Sequence, residues 1–290
     1  MEIKNVIICG LGALGLTYAN QLKNICELRI LADIERVERY KKYPRVFNGQ
    51  QVFFDYIIPS DKFDTDLIIL STKFEGLNSA LEYIKNFIGK NTIIISLING
   101  ISSEDRILEV YPNSKVLRSY FIGHSAIRDG NVITQDGQGK IVFEPNNILE
   151  KFFKKNNIDY EVSTDIVYSQ WLKLGVNIVL NQFTAFYKCT VGELRARKDY
   201  MSLALEILTE VRKVAEASGV LFQDDYEYKV FESINLVADD GITSMYQDII
   251  YGRETEVDIF SGEIIRLGKM YGINTPKNDE IYTQIKLMQK

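Results

Sequence analysis

The sequence holds one histidine, three cysteines, one tryptophan and five prolines in 290 residues. A single histidine, His124, leaves no His pair to hold a zinc ion. Cys9, Cys26 and Cys189 lie too far apart for a metal cluster or a disulfide framework, so no metal is expected. Cys9 stands inside an apolar run and reads as a small core hydrophobe. The cysteine usage fits a reducing, cytoplasmic setting. Basic charge is not in excess either. The net charge of −5 gives no electrostatic reason to expect nucleic acid or an anionic membrane as partner. Long hydrophobic runs are missing: Leu67–Leu70 and Thr92–Ile98 are strand-sized, short of the roughly 20 residues of a membrane span. The start, Met1-Glu2-Ile3-Lys4, carries no basic-then-apolar leader, so no targeting segment is expected. There is no repeat and no low-complexity segment.

What is present is the composition of a soluble globular protein, 46% hydrophobic and 25% charged, long enough for two domains. The first part alternates strand and helix signals: strands at Asn5–Cys9, Glu27–Leu31, Asp66–Ser71 and Asn91–Leu97, helices at Leu14–Lys23 and Leu77–Ile88. Continuous Ile/Leu runs between helices are the mark of parallel strands covered on both faces, hence a doubly wound α/β domain. Further strands are expected at Lys115–Gly123, Lys140–Phe143 and Ile158–Val162, with turns at Asp129-Gly130-Asn131 and Asp136-Gly137. From about Asp165 the pattern becomes helix after helix. The expected architecture is a Rossmann-type, dinucleotide-binding domain over residues 1–164 and an all-helical substrate domain over 165–290.

Gly10-Leu11-Gly12-Ala13-Leu14-Gly15 is a G-x-G-x-x-G sequence that follows a strand and opens a helix. The first glycine permits the tight turn, the second lets backbone approach a pyrophosphate, and the third lets helix pack on strand. The pyrophosphate would rest on the helix N-terminus. The alternative is a glycine-rich turn with no ligand. Asp33, ending the second strand, either holds the ribose hydroxyls or caps the next helix.

Lys173, Asn177 and Asn181 recur at every fourth residue along the otherwise apolar segment Trp171–Asn181, on one helix face. Either they form a narrow solvent-facing stripe, or the lysine faces a polar cleft, where burial would lower its pKa and suit it to donate a proton to a developing alkoxide. Thr255-Glu256-Val257-Asp258 reads as a helix start with Thr255 as cap. Glu256 is then either a plain dipole-complementing acid or the charge partner of Lys173. His124 has no acidic partner nearby in sequence and reads as structural. Ser244-Met245-Tyr246-Gln247 matches a capping box, so Ser244 caps a helix, contacts a ligand, or both.

These segments together resemble the ketopantoate reductase family, nearly end to end. They are Gly10–Gly15, Ser71-Thr72-Lys73, Asn99-Gly100, His124–Gly130, Trp171–Asn181, Gly192-Glu193-Leu194-Arg195, Ser244–Asp248 and Thr255–Asp258. The resemblance implies that Lys173 is the catalytic lysine and Glu256 its acidic partner. It implies that Asn177, Asn181 and Ser244 hold substrate, and that Lys73 and Asn99 contact cofactor near the nicotinamide, Asn99 within reach of substrate as well. The implied activity is hydride transfer from NAD(P)H to the ketone of ketopantoate, a step towards pantothenate and coenzyme A, with a small-molecule 2-oxo acid as partner. A homodimer is an assembly this reading leaves open.

The chain also departs from the family. Val191 and Gly241 stand where the family commonly has substrate-contacting asparagines, and each missing hydrogen bond is worth about 0.5–1.5 kcal/mol. The resemblance therefore also admits a related dehydrogenase of the mandelate type, and a non-catalytic dinucleotide sensor is a third reading. Gln182 replaces a usual proline and is expected to matter little. Family habit is NADPH, yet Asp33 stands at or beside the place of the arginine that binds the 2′-phosphate, which tilts the expectation to NADH. Arg36 and Arg39 keep NADPH open.

Overall fold

The computed structural model describes residues 2–123, 125–137, 139–222 and 225–289, so His124 lies outside the described residues. The chain divides into two compact units, Met1–Ile166 and Val167–Lys290.

The first unit begins with β1 (Asn5–Cys9), α1 (Ala13–Leu22), β2 (Glu27–Leu31) and α2 (Ile34–Lys42). A hairpin follows, β3 (Arg45–Phe47) and β4 (Gln50–Val52), then β5 (Tyr56–Ile57), β6 (Leu67–Leu70), α3 (Leu77–Ile84), β7 (Ile93–Ser96), α4 (Ser103–Val110) and β8 (Lys115–Leu117). The main sheet is parallel, in the order β5-β2-β1-β6-β7-β8. Alternate residues of β1 serve opposite cores. Val6 and Ile8 pack with Leu16 and Ala19 of α1, whereas Ile7 and Cys9 pack with Leu77, Ala80 and Leu81 of α3. Burial of Cys9 at 3% exposure pushes its thiol pKa up to about 12, the behaviour of an inert core residue. The chain runs outward from β1 to β2 and β5, then returns to β6 on the other side of β1. The order thus reverses between β1 and β6, the place where doubly wound sheets open a ligand crevice.

The unit continues with β9 (Ser119–Ile122), β10 (Ser125–Asp129), β11 (Val132–Asp136), β12 (Lys140–Phe143), α5 (Asn147–Lys155) and β13 (Tyr160–Val162). The single strand expected over Lys115–Gly123 is in fact two. β8 pairs in parallel with β7, while β9 leaves for a second sheet in the order β13-β12-β9. The break at Arg118 is satisfied by carboxylates: Arg118 N–H donates to Glu144 Oε1 at 2.8 Å and Ser119 N–H to Glu104 Oε1 at 3.1 Å. A third sheet, β10-β11-β3-β4, includes a hairpin turned at Asn48 and Gly49, both at positive φ.

The second unit is helical throughout its described residues, after α6 (Ile166–Val176) crosses the boundary. A π-helical segment, Asn177–Gln182, continues α6 directly into α7 (Phe183–Tyr187). Then come α8 (Val191–Arg195), α9 (Tyr200–Ala217), α10 (Tyr226–Asn235), α11 (Ser244–Ile250), a 3₁₀ turn (Val257–Ile259), α12 (Ser261–Tyr271) and α13 (Pro276–Met288). Among the described residues, no helix is long and apolar enough to cross a membrane.

The glycine loop is the tightest backbone contact of the first unit. A Cβ on Gly10, whose φ is +108°, would lie 2.7–2.8 Å from the backbone of Ser71 and Thr72. A Cβ on Gly15 would fall on the Gly10 carbonyl oxygen and 2.5 Å from Ser71 Oγ. Gly15→Ala is therefore expected to lower stability by about 1–3 kcal/mol, the usual cost of overpacking, read as a lower thermal midpoint. Gly89→Ala, whose Cβ would come no nearer than 3.4 Å to Thr92 Oγ1, should stay within about 0.5 kcal/mol. Equal midpoints for the two variants would refute the tight approach.

Candidate functional site

The residues read as cofactor-binding gather on one edge of the parallel sheet in the first unit. Gly10–Gly15 follows β1, Asp33 follows β2, Lys73 follows β6 and Asn99 follows β7, each beyond the carboxyl end of its strand. Between β1 and β6, Gly10 lies against Ser71 and Thr72, and Ser71 Oγ donates to the Gly10 carbonyl at 2.9 Å. Gly12, the N-cap of α1, is open: a Cβ there would meet nothing nearer than 4.0 Å. No side chain caps α1, and its first turn holds no acidic residue. An uncapped helix start behind an open glycine suits a pyrophosphate, which would take the amides and the positive end of the dipole. The residues present thus fit a dinucleotide.

Asp33 does cap α2, and one oxygen suffices for that. Its Oδ1 accepts the Arg36 N–H at 2.7 Å. Its Oδ2 meets Arg36 Nε at 3.4 Å and the hydroxyl of Tyr83 at 3.3 Å. Tyr83 carried no signal in the sequence, since an aromatic residue on an amphipathic helix reads as core. Lys73 is exposed and caps a 3₁₀ turn at Phe74–Gly76, and Asn99 is half-buried beside Gly100, where φ is +92°.

The row of polar residues in the second unit runs along one continuous helical rod. Lys173 lies on α6, while Asn177 and Asn181 lie in the π-helical segment; all three are half-buried among buried Leu174, Ile178, Val179 and Leu180. This departs from the uniform α-helix expected. Four α-helical steps overshoot a turn by about 40°, whereas a wider π turn brings four steps short of one. The π segment therefore turns Asn181 back towards the line of Lys173, where an α-helix would carry it further round.

Ser244 is not the cap of α11. Thr243 is, its Oγ1 accepting from Tyr246 N–H at 3.4 Å, and Ser244 occupies the exposed first helical position. Thr243 Oγ1 also lies 2.7 Å from Thr184 Oγ1 on α7, and the Thr184 hydroxyl reaches the Asn181 carbonyl at 3.2 Å. Two adjoining threonines thus fix the start of α11, with Ser244, to the end of the segment carrying the asparagines. Thr255 is not a cap either: it is buried and pairs with the Gln289 side chain. Glu256 is half-buried and precedes the 3₁₀ turn, so the helix expected at Thr255 begins instead at Ser261. Among the described residues, no three His, Cys, Asp or Glu side chains are placed to hold a metal ion.

A family model described as "Ketopantoate reductase PanE/ApbA" matches residues 6–147, and its companion, "Ketopantoate reductase PanE/ApbA C terminal", matches residues 165–289. The chain belongs to the ketopantoate reductase family. A 2-dehydropantoate 2-reductase of Streptococcus pyogenes is 29% identical over 93% of both chains. A solved D-mandelate dehydrogenase with NADH and anilino(oxo)acetate is 25% identical over 98% of both chains, with a TM-score of 0.87. A PanE/ApbA family ketopantoate reductase from Ralstonia eutropha shares the fold, with a TM-score of 0.85 and 23% identity over 98% of both chains.

The departures from the family pattern have structural counterparts. Val191 is wholly buried, and its N–H donates to the Gly241 carbonyl at 3.1 Å. A Cβ on Gly241 would lie 2.9 Å from the Ala238 carbonyl oxygen and 3.4 Å from Val191 Cγ2. The two positions adjoin, so a side chain at 241 has to displace backbone or valine. Gln182 does matter, contrary to expectation. Its Nε2 donates to Ser261 Oγ at 2.8 Å and to the Ile178 carbonyl at 3.2 Å, and its Oε1 accepts from Ser261 N–H at 3.2 Å. Ser261 Oγ then donates to Asn278 Oδ1 at 2.9 Å, and Asn278 Nδ2 to Glu210 Oε2 at 2.8 Å. Glu210 also accepts the N–H groups of Lys277 and Asn278 at 2.8 and 2.9 Å, capping α13 from α9.

Glu210→Gln places an amide N–H₂ against donors in a residue only 7% exposed. The expected loss is about 1.5–3 kcal/mol, the worth of a hydrogen bond to a charged group, read as a lower urea midpoint. A wild-type midpoint would show that the carboxylate does not hold α13.

Proposed function

We propose that this chain reduces a 2-oxo acid with a nicotinamide dinucleotide, and that the acid is 2-dehydropantoate, reduced to pantoate on the way to pantothenate. The observation that carries the reading is the row Lys173, Asn177 and Asn181, aligned by the π segment and joined through Thr184 and Thr243 to the start of α11 at Ser244. A lysine and three neutral hydrogen-bonding groups in one place suit a ketone flanked by a carboxylate and a hydroxyl. In this reading residues 1–164 form the dinucleotide-binding domain and residues 165–290 the substrate domain.

When bound, the dinucleotide supplies the hydride that the ketone carbon accepts. Lys173 gives a proton to the ketone oxygen as it becomes an alkoxide. Asn177, Asn181 and Ser244 bind and orient the acid, with Asn99 at the cofactor edge, and Glu256 keeps Lys173 charged. Along that edge Lys73 and Asn99 meet the cofactor near its nicotinamide, the glycine loop takes the pyrophosphate, and Asp33 accepts the adenosine ribose hydroxyls. A carboxylate there repels a 2′-phosphate, so NADH is the preferred form.

One observation favours a second substrate. Val191 and Gly241 present an apolar surface and a missing side chain side by side, and the D-mandelate dehydrogenase shares the fold closely. An aromatic 2-oxo acid is the rival. Comparing kcat/KM for ketopantoate and phenylglyoxylate, each with NADH and NADPH, decides the matter: a large preference for phenylglyoxylate overturns the pantoate assignment.

Lys173→Ala should lower kcat by about 10²–10⁴ with cofactor affinity nearly intact, the usual size for losing a general acid. Retention of more than half of wild-type kcat would remove Lys173 from the mechanism. Glu256→Gln should slow turnover and move the alkaline limb of the pH–rate profile to lower pH. The protonated lysine is the active form, and loss of a nearby negative charge lowers its pKa. An unmoved limb would show that Glu256 does not act on Lys173.

A further inference from the structure

We propose that Tyr83 is a positioning residue that selects between the two nicotinamide dinucleotides by holding the Asp33 carboxylate in place for the adenosine ribose. The proposal rests on the reading that Asp33 meets that ribose. Asp33 Oδ1 is committed to the Arg36 N–H at 2.7 Å, which fixes the carboxylate at the start of α2. Oδ2 is held less closely, by Arg36 Nε at 3.4 Å and the Tyr83 hydroxyl at 3.3 Å. It is therefore the oxygen that retains capacity for a ribose hydroxyl.

The two donors to Oδ2 differ in how they are anchored. The Arg36 side chain is 47% exposed, on a long flexible stem, so its pairing with Asp33 is weak and easily exchanged for another anion. Tyr83 is half-buried near the end of α3, its ring packed against the cluster that includes Cys9, Leu31 and Leu81. Arg36 can swing from Asp33 to a 2′-phosphate, and Tyr83 cannot. While the Tyr83 O–H stays on Oδ2, the carboxylate keeps its orientation and its charge, and a phosphate brought beside it is repelled. Burial, and after it the Asp33 charge, raise the Tyr83 pKa, so the phenol remains a donor at neutral pH. Removing the hydroxyl alone leaves Asp33 with a mobile partner, which favours NADH less and opposes NADPH less.

The test is calorimetric titration of NADH and NADPH into the wild-type chain, Tyr83→Phe, Asp33→Ala and the double variant, with thermal midpoints taken alongside. Phe keeps the ring in its apolar contacts. The ratio of the NADPH to the NADH dissociation constant should fall about three- to tenfold in Tyr83→Phe, the worth of one modest hydrogen bond. It should fall at least as far in Asp33→Ala and no further in the double variant. An unchanged ratio in Tyr83→Phe, with a fall in Asp33→Ala, overturns the role of Tyr83 and leaves the ribose reading standing. Unchanged ratios in both variants overturn the ribose reading itself. A double variant that falls below Asp33→Ala shows Tyr83 acting on the cofactor directly, which overturns the positioning role.

Discussion

Burying a carboxylate costs several kcal/mol unless donors surround it, and Glu210 meets that condition with two backbone N–H groups of α13 and the Asn278 amide. Much of the helical unit depends on this arrangement. From Glu210 the hydrogen bonds pass through Asn278 and Ser261 to Gln182, so α9, α13, α12 and the π segment share one polar spine. Each member has a partner for its polar atoms, the condition under which a buried network fixes one geometry. Asn177 and Asn181 stand on the segment that this spine holds by its end.

The first unit solves a different problem. Six parallel strands bury continuous apolar runs, and reactivity is confined to the edge where the strand order reverses. At that edge backbone does most of the work. The Gly10 and Gly15 positions admit no side chain, and the start of α1 is left to its own amides. Side chains enter at the margins, through Asp33, Lys73 and Asn99.

Much of this was legible in the sequence, for identifiable reasons. Strands β1, β2 and β12 fall where their apolar runs lie, because a parallel strand covered on both faces leaves no ambiguity of period. The run from Lys115 to Gly123 misled because apolar content is continuous across Arg118. What breaks the strand is Glu104 and Glu144, distant in sequence. The β3–β4 hairpin carried its own Asn48-Gly49 signal, a pair suited to positive φ. The caps were misplaced by one residue or more because Thr243-Ser244 and Thr255 offer hydroxyls that compete for the same role. The spacing of Lys173, Asn177 and Asn181 marks a common face in an α-helix and in a π turn alike, so the sequence gave no sign of the wider turn. Tyr83 and Gln182 were hidden because their partners lie on other elements.

A π turn amounts to one extra residue lodged in an α-helical ladder. Removing a single residue between 177 and 182 would heal the ladder without loss of apolar content. Everything beyond it would then rotate by about 100° relative to α6. Thr184 would swing away from Thr243, and the amide of residue 182 away from Ser261. Side chains along this stretch can be exchanged for others of similar size, but its length cannot change. A one-codon deletion here is the kind of change that leaves composition intact and unmakes the register of the whole second unit.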